Sequence, residues 1–218
     1  MSKRKIVILG STGSIGQNLL KIIDKDKKNF EVVLLTANTD YKLLLKQAKK
    51  FKVKNLVIKD KKCFEILKKK LSSKKIKIYN DYNCFNSILN KKIDYAMSCI
   101  TGIEGLLPTI NIIKFTKKIA IANKESIICG WNLIKKNLHK YKTKFVPVDS
   151  EHFSLWYGMQ NLDVKNIEKF YLTASGGALY KKNLKDFKTV SVNQALNHPN
   201  WKMGKKITID SATMINKV

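Results

Sequence analysis

Arg4-Lys-Ile-Val-Ile-Leu9, followed at once by Gly10-Ser-Thr-Gly13-Ser-Ile-Gly16, is the stretch on which the fold turns. The first six residues are β-branched and apolar enough for a buried strand. Beyond the glycines, Ile15, Leu19, Leu20, Ile22 and Ile23 recur at helical spacing. Strand, glycine turn, helix is the context a dinucleotide-binding loop requires. Gly10 and Gly13 allow a tight turn and a close approach to a pyrophosphate, and Gly16 allows the helix to pack closely on the strand. The open N–H groups of the helix N-terminus then face the phosphate. The spacing GxxGxxG is a variant of GxGxxG, and a purely structural glycine turn is the alternative. The position directly after the first strand favours nucleotide binding.

Outward from this loop the pattern repeats. Glu31 to Leu35 reads as a second strand, then Asn38-Thr39-Asp40 as a loop and a helix through Leu44, Leu45 and Ala48. Strands follow at Asn55 to Ile58, Ile76 to Ile78, Ile93 to Met97, Lys118 to Ala122 and Lys144 to Pro147, each followed by a helical stretch. Such alternation predicts an α/β fold with a doubly wound parallel sheet, Rossmann-like, whose ligands sit at the carboxyl ends of the strands. In such folds an acid after the second strand binds ribose hydroxyls and a base accepts a 2′-phosphate. Asp40 and Lys42 leave that signal ambiguous.

The polar constellations fall at strand ends. Val148-Asp149-Ser150-Glu151-His152 follows the strand at Lys144 to Pro147. If the backbone stays extended, Asp149 and Glu151 point to one side and suit a hard divalent cation. If it does not, the stretch is a solvated strand end whose Asp or Ser caps the next helix. Asn123-Lys124-Glu125-Ser126 is either a site or a helix start with a first-turn acid. After Ser150 to Gln160, which looks helical, Ile167 to Leu172 reads as a strand entering Ser175-Gly-Gly177, a turn able to present N–H and hydroxyl groups to phosphate. His198-Pro-Asn-Trp201-Lys-Met203-Gly204 has no periodicity. Exposed there, Trp, Met and His suit a loop that closes over something, whereas a satisfied His beside a core Trp is the plainer reading. Ser211, Asn216 and Lys217 are candidate phosphate donors on a helix start.

Composition narrows the class. The 218 residues are 44% hydrophobic, which suits a packed core, and carry 43 Lys+Arg against 16 Asp+Glu for a formal charge of +27. Arg4 is the single arginine, and the lysines are spread along the chain. Specific nucleic-acid recognition leans on the arginine fork, so the charge implies at most weak, salt-sensitive adhesion to nucleic acid. Four scattered cysteines and three histidines without a CxxC pair argue against zinc and for a reducing compartment. No apolar run has the length of a membrane span, and no leader precedes the first strand, which predicts a cytoplasmic protein with no membrane partner.

Laid end to end, GSTGSIG (10–16), ANKES (122–126), VDSEH (148–152), LTASGG (172–177), HPNWKMGKKITIDSATM (198–214) and NK (216–217) resemble the 1-deoxy-D-xylulose 5-phosphate reductoisomerase family, in the family's order. The resemblance implies an NADPH-dependent, Mn²⁺- or Mg²⁺-dependent enzyme acting on a small phosphorylated sugar, and a homodimer for the complete enzyme. It places Thr12, Gly13, Ser14, Ile15, Asn38, Asn123, Glu125 and Gly204 against the cofactor, and gives Asp149 and Glu151 to the metal. Substrate contacts fall to Lys124, Ser150, Glu151, Ser175, His198, Ser211, Asn216 and Lys217, with Lys124, Glu151 and His198 at the chemistry and Trp201 and Met203 in a lid near 198–204. A dinucleotide-binding domain over 1–149 and an incomplete α+β catalytic, metal-binding domain over 150–218 are expected. Asn38-Thr39-Asp40 stands where the family carries Gly-Lys-Asn, which implies a weaker grip on a 2′-phosphate, and Val218 stands where it carries glycine. The family's third metal carboxylate falls beyond Val218, so an amino-terminal piece is expected. A dinucleotide-binding remnant without turnover is the competing expectation.

Overall fold

The structure, a computed structural model, describes residues 2–71 and 75–214. Asn216 and Lys217 lie outside the described residues. The chain divides into two compact units, Met1–Asp149 and Ser150–Val218.

The first unit is a seven-stranded parallel sheet of order β4-β3-β2-β1-β5-β6-β7. Its strands are β1 (Arg4–Leu9), β2 (Phe30–Ala37), β3 (Asn55–Ile58), β4 (Lys77–Tyr79), β5 (Ile93–Ser98), β6 (Thr116–Ile121) and β7 (Lys144–Pro147). Helices α1 (Ser14–Lys25), α2 (Tyr41–Phe51), α3 (Lys61–Lys70), α4 (Phe85–Ile88), α5 (Leu106–Ile113) and α6 (Lys124–Lys140) connect them. Alternation along β1 divides the core. Ile6 and Ile8 pack with Leu20 and Ile23 of α1, Leu44 of α2 and Leu67 of α3. Val7 and Leu9 face the other way, toward Phe85 of α4, Ile112 and Ile113 of α5 and Ile134 of α6. Helices α1–α3 therefore cover one face and α4–α6 the other. Both faces being buried explains why the central strands read as continuous apolar runs. The chain winds outward from β1 to β4, then crosses to β5 on the opposite side of β1. The switch point between β1 and β5 is where such sheets open a crevice for ligands.

Helix starts follow the polar residues that precede them. Asp40 accepts from the Leu43 N–H at 3.0 Å, Asp60 from Cys63 at 2.8 Å and Asn123 from Ser126 at 2.7 Å.

The second unit contains α7 (Ser150–Gly158), α8 (Val192–Ala195) and α9 (Lys205–Ala212), with short 3₁₀ segments at Val164–Asn166 and Leu184–Thr189 between α7 and α8. Three expectations change here. Ile167 to Leu172 forms no strand, and among its described residues the second unit has none. Ser150 opens a helix three residues after β7 ends, so Asp149 and Glu151 do not lie on one extended segment. Ile207 to Ser211 is helical, which puts Ser211 in the last turn of α9 and not at a helix start.

Candidate functional site

The glycine loop between β1 and α1 turns at Gly10, whose φ of +86° is readily reached by glycine alone; an added Cβ would stand 2.9 Å from the Cys99 carbonyl oxygen. β2 anchors the loop from one side. Thr36 Oγ1 accepts from the Gly10 N–H at 2.9 Å, and the Thr36 carbonyl accepts from the Ser11 N–H at 2.8 Å. From α2, the Gln47 amide donates to the Ser11 carbonyl at 2.8 Å and accepts from the Ser11 hydroxyl at 2.7 Å. From α1, Gln17 donates to the Thr12 carbonyl at 2.7 Å. Beneath the loop, burial pushes the Cys99 thiol up to about 12, so it remains protonated and donates to the Leu9 carbonyl at 3.0 Å. Among the described residues the N–H groups of Thr12, Ser14 and Ile15 have no backbone acceptor. With Gly13 and Ser14 exposed, the loop offers a set of outward donors that fits an anion such as a pyrophosphate.

Asn123 at the end of β6 is buried and fully committed. Its amide donates to the Ile100 and Gly102 carbonyls, and its oxygen caps α6. The side chain thus holds the Ile100–Gly102 segment after β5, across the switch point from the glycine loop; only its backbone is left to face a ligand. Glu125 is half-buried in the first turn of α6, where the helix dipole favours a carboxylate. Next to it Lys124 reaches Asp149 beyond β7, Nζ to Oδ2 at 2.5 Å, with both side chains partly buried. Asn38 is exposed, and its carbonyl accepts from the Asp60 N–H at 3.1 Å.

In the second unit, Ser150 is exposed and donates to the Glu151 carboxylate at 2.9 Å. His198 is buried, whereas Trp201 and Met203 are exposed at 60% and 37%. The expectation of an exposed histidine in that loop is therefore corrected. Its ring holds the loop together, because Nδ1 accepts from the N–H groups of Asn200 at 3.1 Å and Trp201 at 3.0 Å. A nitrogen accepting two hydrogen bonds carries no proton, so the proton sits on Nε2 and is donated to Ser175 Oγ at 3.2 Å. Ser175 is exposed, and its own hydroxyl proton stays available for a ligand. Gly177 packs against α9 so closely that a Cβ would fall 1.7 Å from the Ser211 carbonyl oxygen, which brings the Ser175–Gly177 turn onto Ser211. Ser211 is buried, and its hydroxyl donates to the Thr208 carbonyl at 2.7 Å. Gly204 precedes α9, exposed.

Gln47, Gln17 and Thr36 escaped the sequence reading. Gln47 did leave a trace: it shares the buried stripe of α2 with Leu44 and Ala48, and a polar residue on an apolar stripe needs a partner.

Sheet order, the donor-lined loop at the switch point and the polar strand ends define a Rossmann-type α/β protein. The family model for 1-deoxy-D-xylulose 5-phosphate reductoisomerase matches residues 6–130, and that for the C-terminal domain of the same enzyme matches residues 145–218. The chain belongs to the 1-deoxy-D-xylulose 5-phosphate reductoisomerase family. It is 60% identical over 217 residues to the reductoisomerase of Pelagibacter ubique (99% of this chain, 56% of that one) and 41% identical over 215 residues to that of Wolbachia pipientis (98% and 55%). Among solved structures it resembles the reductoisomerase of Zymomonas mobilis in complex with NADPH, with a TM-score of 0.85, 33% identity and coverage of 99% of this chain and 56% of that one. A reductoisomerase in complex with NADPH, fosmidomycin and magnesium gives a TM-score of 0.83 at 32% identity, covering 98% and 55%. The chain thus spans about half the length of the curated relatives it matches. Among the described residues no helix is long and apolar enough to cross a membrane, and no group of three or more His, Cys, Asp and Glu is gathered as a metal site would need.

Proposed function

We propose that this chain carries the cofactor, substrate and metal residues of a 1-deoxy-D-xylulose 5-phosphate reductoisomerase, which isomerises its substrate and reduces the product to 2-C-methyl-D-erythritol 4-phosphate for non-mevalonate isoprenoid synthesis. The observation that supports this most is the match of both family models in order along the chain.

The donors of Thr12, Gly13, Ser14 and Ile15 suit the pyrophosphate of NADPH, with Asn38, the Asn123 backbone, Glu125 and Gly204 completing the cofactor contacts. Asp149 and Glu151 supply oxygen ligands for Mg²⁺ or Mn²⁺. The Asp149 carboxylate already takes the ammonium of Lys124, so it suits a cation. When bound, NADPH supplies the hydride and the divalent ion the positive charge that polarises the substrate's carbonyl and hydroxyl oxygens. The chain's own residues bind and orient. Lys124, Ser150 and Glu151 hold the reacting oxygens. Ser175, oriented by His198, joins Ser211, Asn216 and Lys217 on the phosphate, and the loop with Trp201 and Met203 excludes water. A cytoplasmic homodimer completes this reading.

Loss of NADPH absorbance on adding 1-deoxy-D-xylulose 5-phosphate and Mn²⁺ or Mg²⁺ tests it. Turnover that survives Glu151→Gln would overturn the metal assignment. Thr39, where the family carries lysine, together with the acid Asp40 beside it, favours a second reading, a dinucleotide-binding chain without turnover. NADPH binding with no loss of substrate would support that one.

A further inference from the structure

The polarity of the glycine loop is set from behind. Gly10, Ser11 and Thr12 each have their carbonyl held by a donor: Gly10 by the Gly13 N–H at 3.2 Å, Ser11 by Gln47 at 2.8 Å and Thr12 by Gln17 at 2.7 Å. The middle bond differs from its neighbours. The Ser11 carbonyl and the Thr12 N–H belong to one planar peptide unit and point in opposite directions. Holding the Ser11 oxygen toward α2 therefore aims the Thr12 N–H outward, where among the described residues it meets no backbone acceptor. A flip of that single peptide would replace a donor with a carbonyl dipole that repels phosphate.

Gln47 is built to prevent the flip. It is buried, and its amide grips Ser11 twice, at the backbone oxygen and at the hydroxyl. The two bonds fix the amide orientation. Oε1 must face the hydroxyl that Thr36 also borders, and Nε2 must face the carbonyl. We propose that Gln47 is a positioning residue of the cofactor site, which aims the Thr12 N–H at the cofactor pyrophosphate without touching the cofactor. This rests on the dinucleotide-binding reading above and adds the residue that orients its central donor.

Two substitutions separate positioning from mere support of the fold. Gln47→Met removes the hold on the Ser11 carbonyl and conserves volume, beside a groove of about 280 Å³ between α1 and α2 that can absorb a misfit. Ser11→Ala removes the hydroxyl's bonds to Gln47 and Thr36 and leaves the carbonyl held. By fluorescence titration, Gln47→Met should weaken NADPH binding roughly tenfold, the size of one lost charge-assisted hydrogen bond. Ser11→Ala should stay within about twofold of the parent. At saturating NADPH, hydrogen exchange should show the Thr12 amide protected in the parent and in Ser11→Ala, but not in Gln47→Met. If Gln47→Met does not fold, Gln47→Leu carries the same expectation, since it is close in volume and has no donor for the Ser11 carbonyl. Equal weakening by both substitutions, or an unchanged affinity in Gln47→Met, overturns the inference while the dinucleotide reading stands. A parent chain that binds no NADPH overturns both.

Discussion

Lys124 Nζ stands 2.5 Å from Asp149 Oδ2, an ion pair that ties the first turn of α6 to the second residue past the edge strand β7. Both residues are assigned here to the reacting end of the site, one to substrate and one to metal. On that proposed assignment the ammonium occupies a carboxylate oxygen that a divalent ion would use, and the two cations would compete for it.

Lys124→Gln should consequently tighten Mn²⁺ binding, by about three- to tenfold for one removed positive charge near a partly screened carboxylate. Turnover should fall in the same variant, because the substrate loses a donor. Titration of Mn²⁺ by its electron paramagnetic resonance signal reads the first effect without any catalysis. Weaker Mn²⁺ binding in Lys124→Gln would show that the lysine supports the carboxylate's position more than it competes.

Asp40 was read from sequence as an obstacle to a 2′-phosphate. In the structure its carboxylate also caps α2 through the Leu43 N–H, so the charge is fixed beside the loop after β2. Asparagine caps a helix about as well as aspartate. Asp40→Asn should therefore leave the melting temperature within about 1 °C and tighten NADPH binding roughly three- to tenfold by removing one like charge. NADH, without the 2′-phosphate, should be unaffected. An equal gain for both cofactors would place the effect elsewhere.

The first unit was legible because its signals are local. The run Arg4 to Leu9 and its glycines state strand and turn in consecutive residues, and Leu19, Leu20 and Ile23 state the buried face of α1. Only edges slipped: β4 begins at Lys77 and not at Ile76, and Ile15 and Ile22, counted in the helical pattern, are exposed. The second unit was less legible because its signals depend on partners. Ile167 to Leu172 has the composition of a strand, but a strand exists only where another backbone pairs with it. Ile207 and Ile209 favour extended chain by propensity and are nevertheless helical in α9, since propensity is a weak prior against packing. Asp149 and Glu151 do lie beyond a strand, yet their alternation requires an extended backbone as far as Glu151, four residues past the end of β7.

Asp94 offers a pH test of the sheet. Its carboxylate accepts from Lys117 Nζ at 2.8 Å and from the Lys5 N–H at 2.9 Å, joining β5 to both β6 and β1. The Lys117 ammonium, and after it the Lys5 N–H, hold this carboxyl below its ordinary 3.8. A folded-state value below the unfolded one stabilises the fold above 3.8, and that contribution disappears as pH falls through the lowered value. Asp94→Asn should therefore melt about 1–3 °C lower than the parent near neutral pH, a modest gap because the pair is partly exposed. The two melting curves should converge in acid below the lowered value. A gap that persists there would mean that geometry and not charge carries the contact.

His198 has a tautomer that the loop imposes. Two backbone N–H groups, of Asn200 and Trp201, converge on Nδ1, which leaves Nε2 to donate to Ser175. ¹⁵N NMR of the imidazole should thus show a protonated Nε2 and an unprotonated Nδ1; the reverse pattern would contradict the arrangement. Asparagine can replace Nδ1 with its side-chain oxygen but cannot reach Ser175 as Nε2 does. His198→Asn should keep the turn at Asn200 and Trp201 while releasing Ser175, so its cost should fall on phosphate binding before chemistry. KM for 1-deoxy-D-xylulose 5-phosphate should rise roughly tenfold, the worth of one oriented donor to a charged group, with kcat changing less. His198→Leu removes both functions and should lower kcat as well, because the loop carrying Trp201 and Met203 loses the bonds that hold its start. Equal kinetics for the two variants would show that the ring serves the loop alone and leaves Ser175 to orient itself.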